Sequence, residues 1–160
     1  MAKKQHRKYP PMSPKERQAW IDLDWYIRQN VMGYDENQGL NTNMVLRLKG
    51  LRWGQCIANT NNGKFANYTF DVILNTYKFC LPKIKKAFEY KRFDNDEHKF
   101  NYALAIVNRN IAEVYQRMKN MENANKIAEV NASKSENAKI VEYKNTNDNK
   151  KKQKKFNDMW

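Results

Sequence analysis

The sequence predicts an all-α fold, on three observations. Apolar residues recur at steps of three and four, the spacing that lines one face of a helix. Helix-start signatures precede these stripes at Ser13-Pro14-Lys15-Glu16 and at Asp94-Asn95-Asp96-Glu97. Only five glycines and four prolines occur in 160 residues, too few for an all-β fold rich in tight turns. The expected architecture is a small bundle of three to four helices with a long C-terminal helix and basic, intrinsically flexible tails. Residues 1–12 read as a basic N-terminal arm, 13–130 as a helical domain, and 131–160 as a polar linker with a Lys-rich tail. A hydrophobic fraction of 41%, with 12% aromatic residues, suffices for one core at this length.

Each element has a local cause. Ser13 can cap a first helix, Pro14 suits its first position, and Glu16 can reach back to close a capping box. Trp20, Leu23, Ile27 and Val31 then follow at helical spacing, and Gly33 is a natural stop, so helix one spans 14–32. Asn41 or Thr42 starts a second helix with Met44, Leu48 and Leu51 on one face. Gly50 and Gly54 weaken it, each costing ~1 kcal/mol relative to Ala. Their GxxxG spacing reads as a tight helix contact or a chain break. Helix three begins near Tyr68 or Thr69, with Phe70, Leu74, Tyr77, Leu81, Ile84 and Phe88 as its apolar stripe. Pro82 lacks a backbone donor and crowds the preceding turn, so a kink or break is expected at Leu81. Helix four starts at Asp94–Glu97 and carries Phe100, Leu104, Val107, Ile111, Val114, Met118 and Met121. Its stripe fades there, which predicts an end near 122 and no later than 130. The core residues expected are Phe70, Leu74, Tyr77, Leu104, Val107, Ile111 and Val114.

Catalytic and metal chemistry find little support. His6 and His98 have no second His or Cys at ligand spacing. Cys56 and Cys80 have no histidine beside them and read as reduced core thiols. Asp22 and Asp24 fall on different faces of a helix and cannot share a proton. No Gly-rich phosphate loop occurs. The expectation is a protein with no cofactor, no metal and no enzymatic activity. No apolar run is long enough to span a membrane, and the basic N-terminus has no apolar stretch behind it. A cytoplasmic location in a bacterial host follows as an expectation.

Charge carries the stronger signal. The net charge is +13 at pH 7. Lys3, Lys4, Arg7, Lys8 and Tyr9 form one basic and aromatic run. Lys83, Lys85, Lys86, Tyr90, Lys91 and Arg92 form a second, with Phe88 among them. Lys150, Lys151, Lys152, Lys154, Lys155 and Trp160 form a third, and Arg47, Lys49 and Arg52 flank the apolar face of helix two. Lysine and arginine neutralise phosphates, while rings stack on unpaired bases. A solvated face explains one such run; three in one chain point to nucleic acid, with DNA expected before RNA. The stripe of helix four packs on the other helices or supports a homo-oligomer.

The stretch Phe93-Asp94-Asn95-Asp96-Glu97-His98-Lys99-Phe100-Asn101-Tyr102-Ala103-Leu104-Ala105-Ile106-Val107-Asn108-Arg109-Asn110-Ile111 resembles small helical replication proteins of Firmicute phages and plasmids. It is similar to the C-terminal part of DnaD-type replisome organisers, in which an aromatic-Asn-Tyr element and an Ile-rich turn precede a basic or Asn-rich helix end. The resemblance implies DNA binding, helicase loading and oligomerisation without catalysis. The expected function is thus non-catalytic nucleic-acid binding by a phage or mobile-element protein in DNA replication. The alternative is a small phage-encoded interaction protein, an anti-CRISPR-like inhibitor or assembly component, bound to a larger protein or ribonucleoprotein complex.

Overall fold

A computed structural model describes residues 11–55 and 66–157, with side chains described to Lys134. The arm residues Lys3, Lys4, Arg7, Lys8 and Tyr9, together with Cys56 and Trp160, lie outside the described residues. The fold is all-α, with a long C-terminal helix. Helix α1 spans Pro14–Tyr26 and continues as a π-helical segment, Ile27–Met32; α2 spans Thr42–Trp53, α3 Phe70–Tyr90 and α4 Asp96–Asn157. No strand occurs among the described residues. Among them, no helix is long and apolar enough to cross a membrane.

The helix starts follow side-chain caps. Ser13 Oγ accepts from the Glu16 amide at 3.2 Å, and Pro14 opens α1. Asn41 Oδ1 caps α2 through the Met44 amide at 2.9 Å, and Thr69 Oγ1 caps α3 through Val72 at 3.5 Å. The cap of α4 is Asn95, whose Oδ1 accepts from the His98 amide at 2.8 Å. Neither expected capping box closes. The carboxylate of Glu16 accepts instead from Arg52 Nε at 2.7 Å, across to α2. Asp94 pairs with His98 at 3.3 Å, and Glu97 accepts from Asn43 at 3.4 Å. Gly33 (φ 70°) and Gly54 (φ 67°) end the π-helical segment and α2 in the left-handed region that glycine enters without Cβ strain. The GxxxG spacing therefore ends in a chain break.

The chain divides into two compact units, Met1–Gln116 and Arg117–Trp160. In the first unit α1 packs on α3. Its fully buried side chains include Leu23, Ile27, Met44, Leu48, Phe70, Ile73, Tyr77, Ile84, Phe100 and Val107. Each such aliphatic or Phe side chain stabilises the fold by ~1.5–3 kcal/mol through burial. The widened turns of the π-helical segment let Ile27, Val31 and Met32 all reach the core, although Ile27 and Met32 are five residues apart. Of the expected core, Phe70, Tyr77, Leu104, Val107, Ile111 and Val114 are buried, but Leu74 is only half-buried. The buried stripe of α3 runs Phe70, Ile73, Tyr77, Cys80, Ile84, rotated from the expected Leu74–Leu81 phase. Helix α3 is also continuous through Pro82, where a break was one expectation. Cys80 above the proline and Ile84 below it are both fully buried, so packing holds the helix on either side of the missing donor.

The second unit is the helical run from Arg117 to Asn157, roughly 60 Å at 1.5 Å per residue. The sequence placed a helix end at 122–130 and a linker beyond it; α4 instead runs through both. No Gly or Pro follows Pro82, so nothing in this stretch breaks a helix. Its described side chains beyond Met118 are exposed, among them Met121, Ile127 and Val130. Lys126 and Glu122 pair at 2.7 Å one turn apart. Such pairs, worth ~0.2–0.5 kcal/mol each, support a helix that has no core of its own.

Candidate nucleic-acid interface

The core stripe of α3 leaves its opposite face to solvent, and that face is basic and aromatic. Lys78, Phe79, Lys83, Lys85, Lys86 and Tyr90 are all exposed on it, with Glu89 the one carboxylate in this stretch. Lys83 Nζ stands 6.0 Å from the Phe79 ring centroid, and Lys78 Nζ stands 5.7 Å from that of Tyr26 on α1. A ring under an ammonium steadies it without neutralising it. Lys78, Lys83, Lys85 and Lys86 have no carboxylate within ion-pair distance among the described residues. Their charge is therefore uncompensated. Beyond the helix, Lys91 Nζ sits 4.3 Å from the Tyr102 ring and Arg92 is exposed.

Beside Lys78 the face meets α1 in a groove of about 450 Å³, lined by Ile21, Asp22, Trp25, Tyr26, Leu74 and Lys78. Trp25 is 55% exposed and Ile21 50%; on α3, Phe79 is 42% exposed and Tyr90 78%. Grouped in one groove, Ile21, Trp25, Tyr26 and Leu74 form an apolar patch of the kind that contacts a partner. The groove's one carboxylate, Asp22, accepts from Gln18 Nε2 at 2.8 Å. Asp24 is held apart from it by Arg28 at 2.8 Å, so the two do not act as a pair.

The three basic residues of α2 have different surroundings. Arg52 is paired with Glu16, its guanidinium 4.7 Å from the Trp53 ring. Lys49 Nζ lies 5.1 Å from the Trp20 ring. Arg47 lines a separate cavity in the first unit. Lys150, Lys151, Lys152, Lys154 and Lys155 lie on α4 in the second unit, beyond the described side chains. The structure thus gathers Lys83, Lys85, Lys86 and Tyr90 on one face.

It adds Trp25, Lys78 and Phe79, which the sequence reading did not single out. A signal for them exists. Ile21 and Trp25 are out of phase with the Leu23–Ile27–Val31 stripe, and Phe79 is out of phase with Tyr77–Cys80–Ile84. An off-phase ring on a basic helix is a ring assigned to the surface.

Reactive groups do not converge here. The Cys80 thiol is fully buried, and burial pushes its pKa up, away from the reactive thiolate. His98 is held by Asp94 and packs edge-on to Phe93, 5.6 Å between centroids. Among the described residues no three of His, Cys, Asp and Glu group as metal ligands do.

A protein-family model described as "SPbeta prophage protein YorH" matches residues 2–160. That match supports a phage origin, and it does not support the DnaD-type resemblance of residues 93–111. No curated protein and no solved structure matches the chain.

Proposed function

The chain belongs to the SPbeta prophage protein YorH family, and from that premise we propose that it is a non-catalytic, single-strand nucleic-acid-binding protein of a phage, acting in DNA replication. The observation that carries this reading is the solvent face of α3. Uncompensated lysines alternate there with open rings, and Trp25 extends the rings onto α1. Phosphates of a strand would lie along Lys78, Lys83, Lys85 and Lys86. Unpaired bases would stack on Trp25, Phe79 and Tyr90. Duplex DNA hides its base faces, so a surface of this composition favours single strands. The surplus of +13 adds a long-range field that speeds encounter with any polyanion.

Fluorescence anisotropy with labelled single- and double-stranded DNA and RNA, at about 50 and 200 mM salt, tests the reading. Tighter binding to single strands that weakens at the higher salt is the expected result. Indifference to salt, or no binding to any of the four, contradicts it and moves the aromatic groove to a protein partner, as in an inhibitor of a larger complex.

A further inference from the structure

The groove between α1 and α3 holds two opposite charges that are not used on each other. Asp22 and Lys78 both line it. No ion pair joins Lys78 to a carboxylate among the described residues, and its Nζ stands 5.7 Å from the Tyr26 ring centroid. Asp22 Oδ1 accepts from Gln18 Nε2 at 2.8 Å, one turn back on α1. That bond orients the carboxylate and takes one of its roughly four lone-pair sites, so both oxygens can still accept. Trp25 stands one turn on from Asp22, on the same side of α1, and its ring is open to solvent.

A carboxylate is out of place on a track for phosphates. At equal range it repels a phosphate as strongly as a lysine attracts one. Beside an open ring it has a use when a donor reaches it, and the edge of a base stacked on Trp25 carries donors. The four bases differ at that edge. Guanine presents two neighbouring donors, N1–H and N2–H, which match the two oxygens of a carboxylate as the fork of an arginine does. Adenine and cytosine set one amine beside a ring-nitrogen acceptor, and thymine sets one N–H between two carbonyls. Each of these three turns a lone pair towards the second oxygen of the carboxylate.

We infer that this groove is a guanine-selective base site within the single-strand interface, and that Asp22 sets its specificity. The base stacks on Trp25, its N1–H and N2–H donate to Asp22, and a neighbouring phosphate pairs with Lys78. The inference rests on the single-strand reading for its ligand, and adds a base preference that a general stacking surface lacks.

Anisotropy with labelled oligothymidylate strands of about twelve nucleotides tests it, each strand carrying one central guanine, hypoxanthine, adenine, cytosine or thymine. The guanine strand is expected to bind the full chain about 5- to 150-fold more tightly than the thymine strand. Hypoxanthine keeps N1–H and lacks the amine, so its strand should fall between the two. Asp22→Asn replaces one acceptor by a donor and removes a charge that repels phosphate. It should bring the five strands to one affinity, at or above that of the thymine strand on the parent. The strand series on the unaltered chain reads the same contact should the variant fold poorly. Equal affinity of the five strands for the parent overturns the assignment, as does tighter binding of adenine or cytosine than of guanine, or a guanine preference that survives in Asp22→Asn. If the five strands bind equally and Lys85→Ala/Lys86→Ala weakens them all, the guanine inference falls and the single-strand reading stands. If no strand binds, the single-strand reading falls and takes the inference with it.

Discussion

Trp25 and Phe79 are the residues on which the proposal depends most locally. Both are large rings left open to solvent beside lysines. Replacing either by Ala removes a stacking platform worth ~1–3 kcal/mol per base. Single-strand affinity should fall about 5- to 150-fold in anisotropy titrations, with a smaller loss of stability than a core truncation causes, since each ring is about half exposed. A loss of stability without a loss of affinity would make these rings structural. Inside the core the expectation reverses. Ile73 is fully buried and Leu81 half-buried, so Ile73→Ala should cost ~2–5 kcal/mol in denaturant unfolding and Leu81→Ala distinctly less. Tyr77 is a third case. Its hydroxyl is buried without a partner, and burial drives its pKa far up. Tyr77→Phe removes that unpaired group and should leave the melting temperature unchanged or raise it.

Tyr34 ties the loop after the π-helical segment to the first turn of α4, donating to Asp96 Oδ2 at 2.9 Å. Burial first, then Asp96, pushes its pKa to about 12 from 10.0. The folded state therefore holds this proton more tightly than the unfolded chain does. Its contribution is complete below pH ~10 and is lost as pH rises towards about 12. Melting curves across that window should fall less steeply for Tyr34→Phe than for the parent; parallel curves would show that the tie contributes nothing.

Among the elements, legibility followed how local the cause was. The start of α1 was readable because Ser13 and Pro14 sit next to each other and act on their own turn. The phase of α3 was not. Both Leu74–Tyr77–Leu81 and Ile73–Tyr77–Ile84 satisfy a three-four spacing, and apolar periodicity alone cannot choose between them. The choice lies in the lysines: the Ile73 phase carries Lys78 and Lys85 away from the core, the Leu74 phase brings both to its edge, and Lys86 is exposed in either. Phe79 faces away from the core in either phase, so its place at the surface was legible from the spacing alone. The π-helical segment has no local signature and follows from three apolar residues reaching one core. The extent of α4 is not legible from an apolar stripe, because its second half has none. Its helicity rests on propensity and on pairs such as Glu122–Lys126. Ala128→Pro removes one backbone bond and crowds the turn before it. It should lower ellipticity at 222 nm measurably; an unchanged spectrum would mean that the segment is not helical in solution.

For the molecule as a whole, it is charge, a surplus of +13, that points to a polyanionic partner. The tails supply part of that charge, and α3 supplies part of it beside rings exposed on the same face. If Lys78, Lys83, Lys85 and Lys86 each neutralise one phosphate, the slope of log affinity against log salt is about −2.8, a roughly 50-fold loss between about 50 and 200 mM.

The direct measurement is that slope, for a single-stranded oligonucleotide, in the parent chain and in Lys85→Ala/Lys86→Ala. The account predicts that the variant binds more weakly and that its slope is shallower by about 1.4, two phosphate contacts having gone. An unchanged slope and affinity would show that the strand does not lie on α3, and would contradict the account.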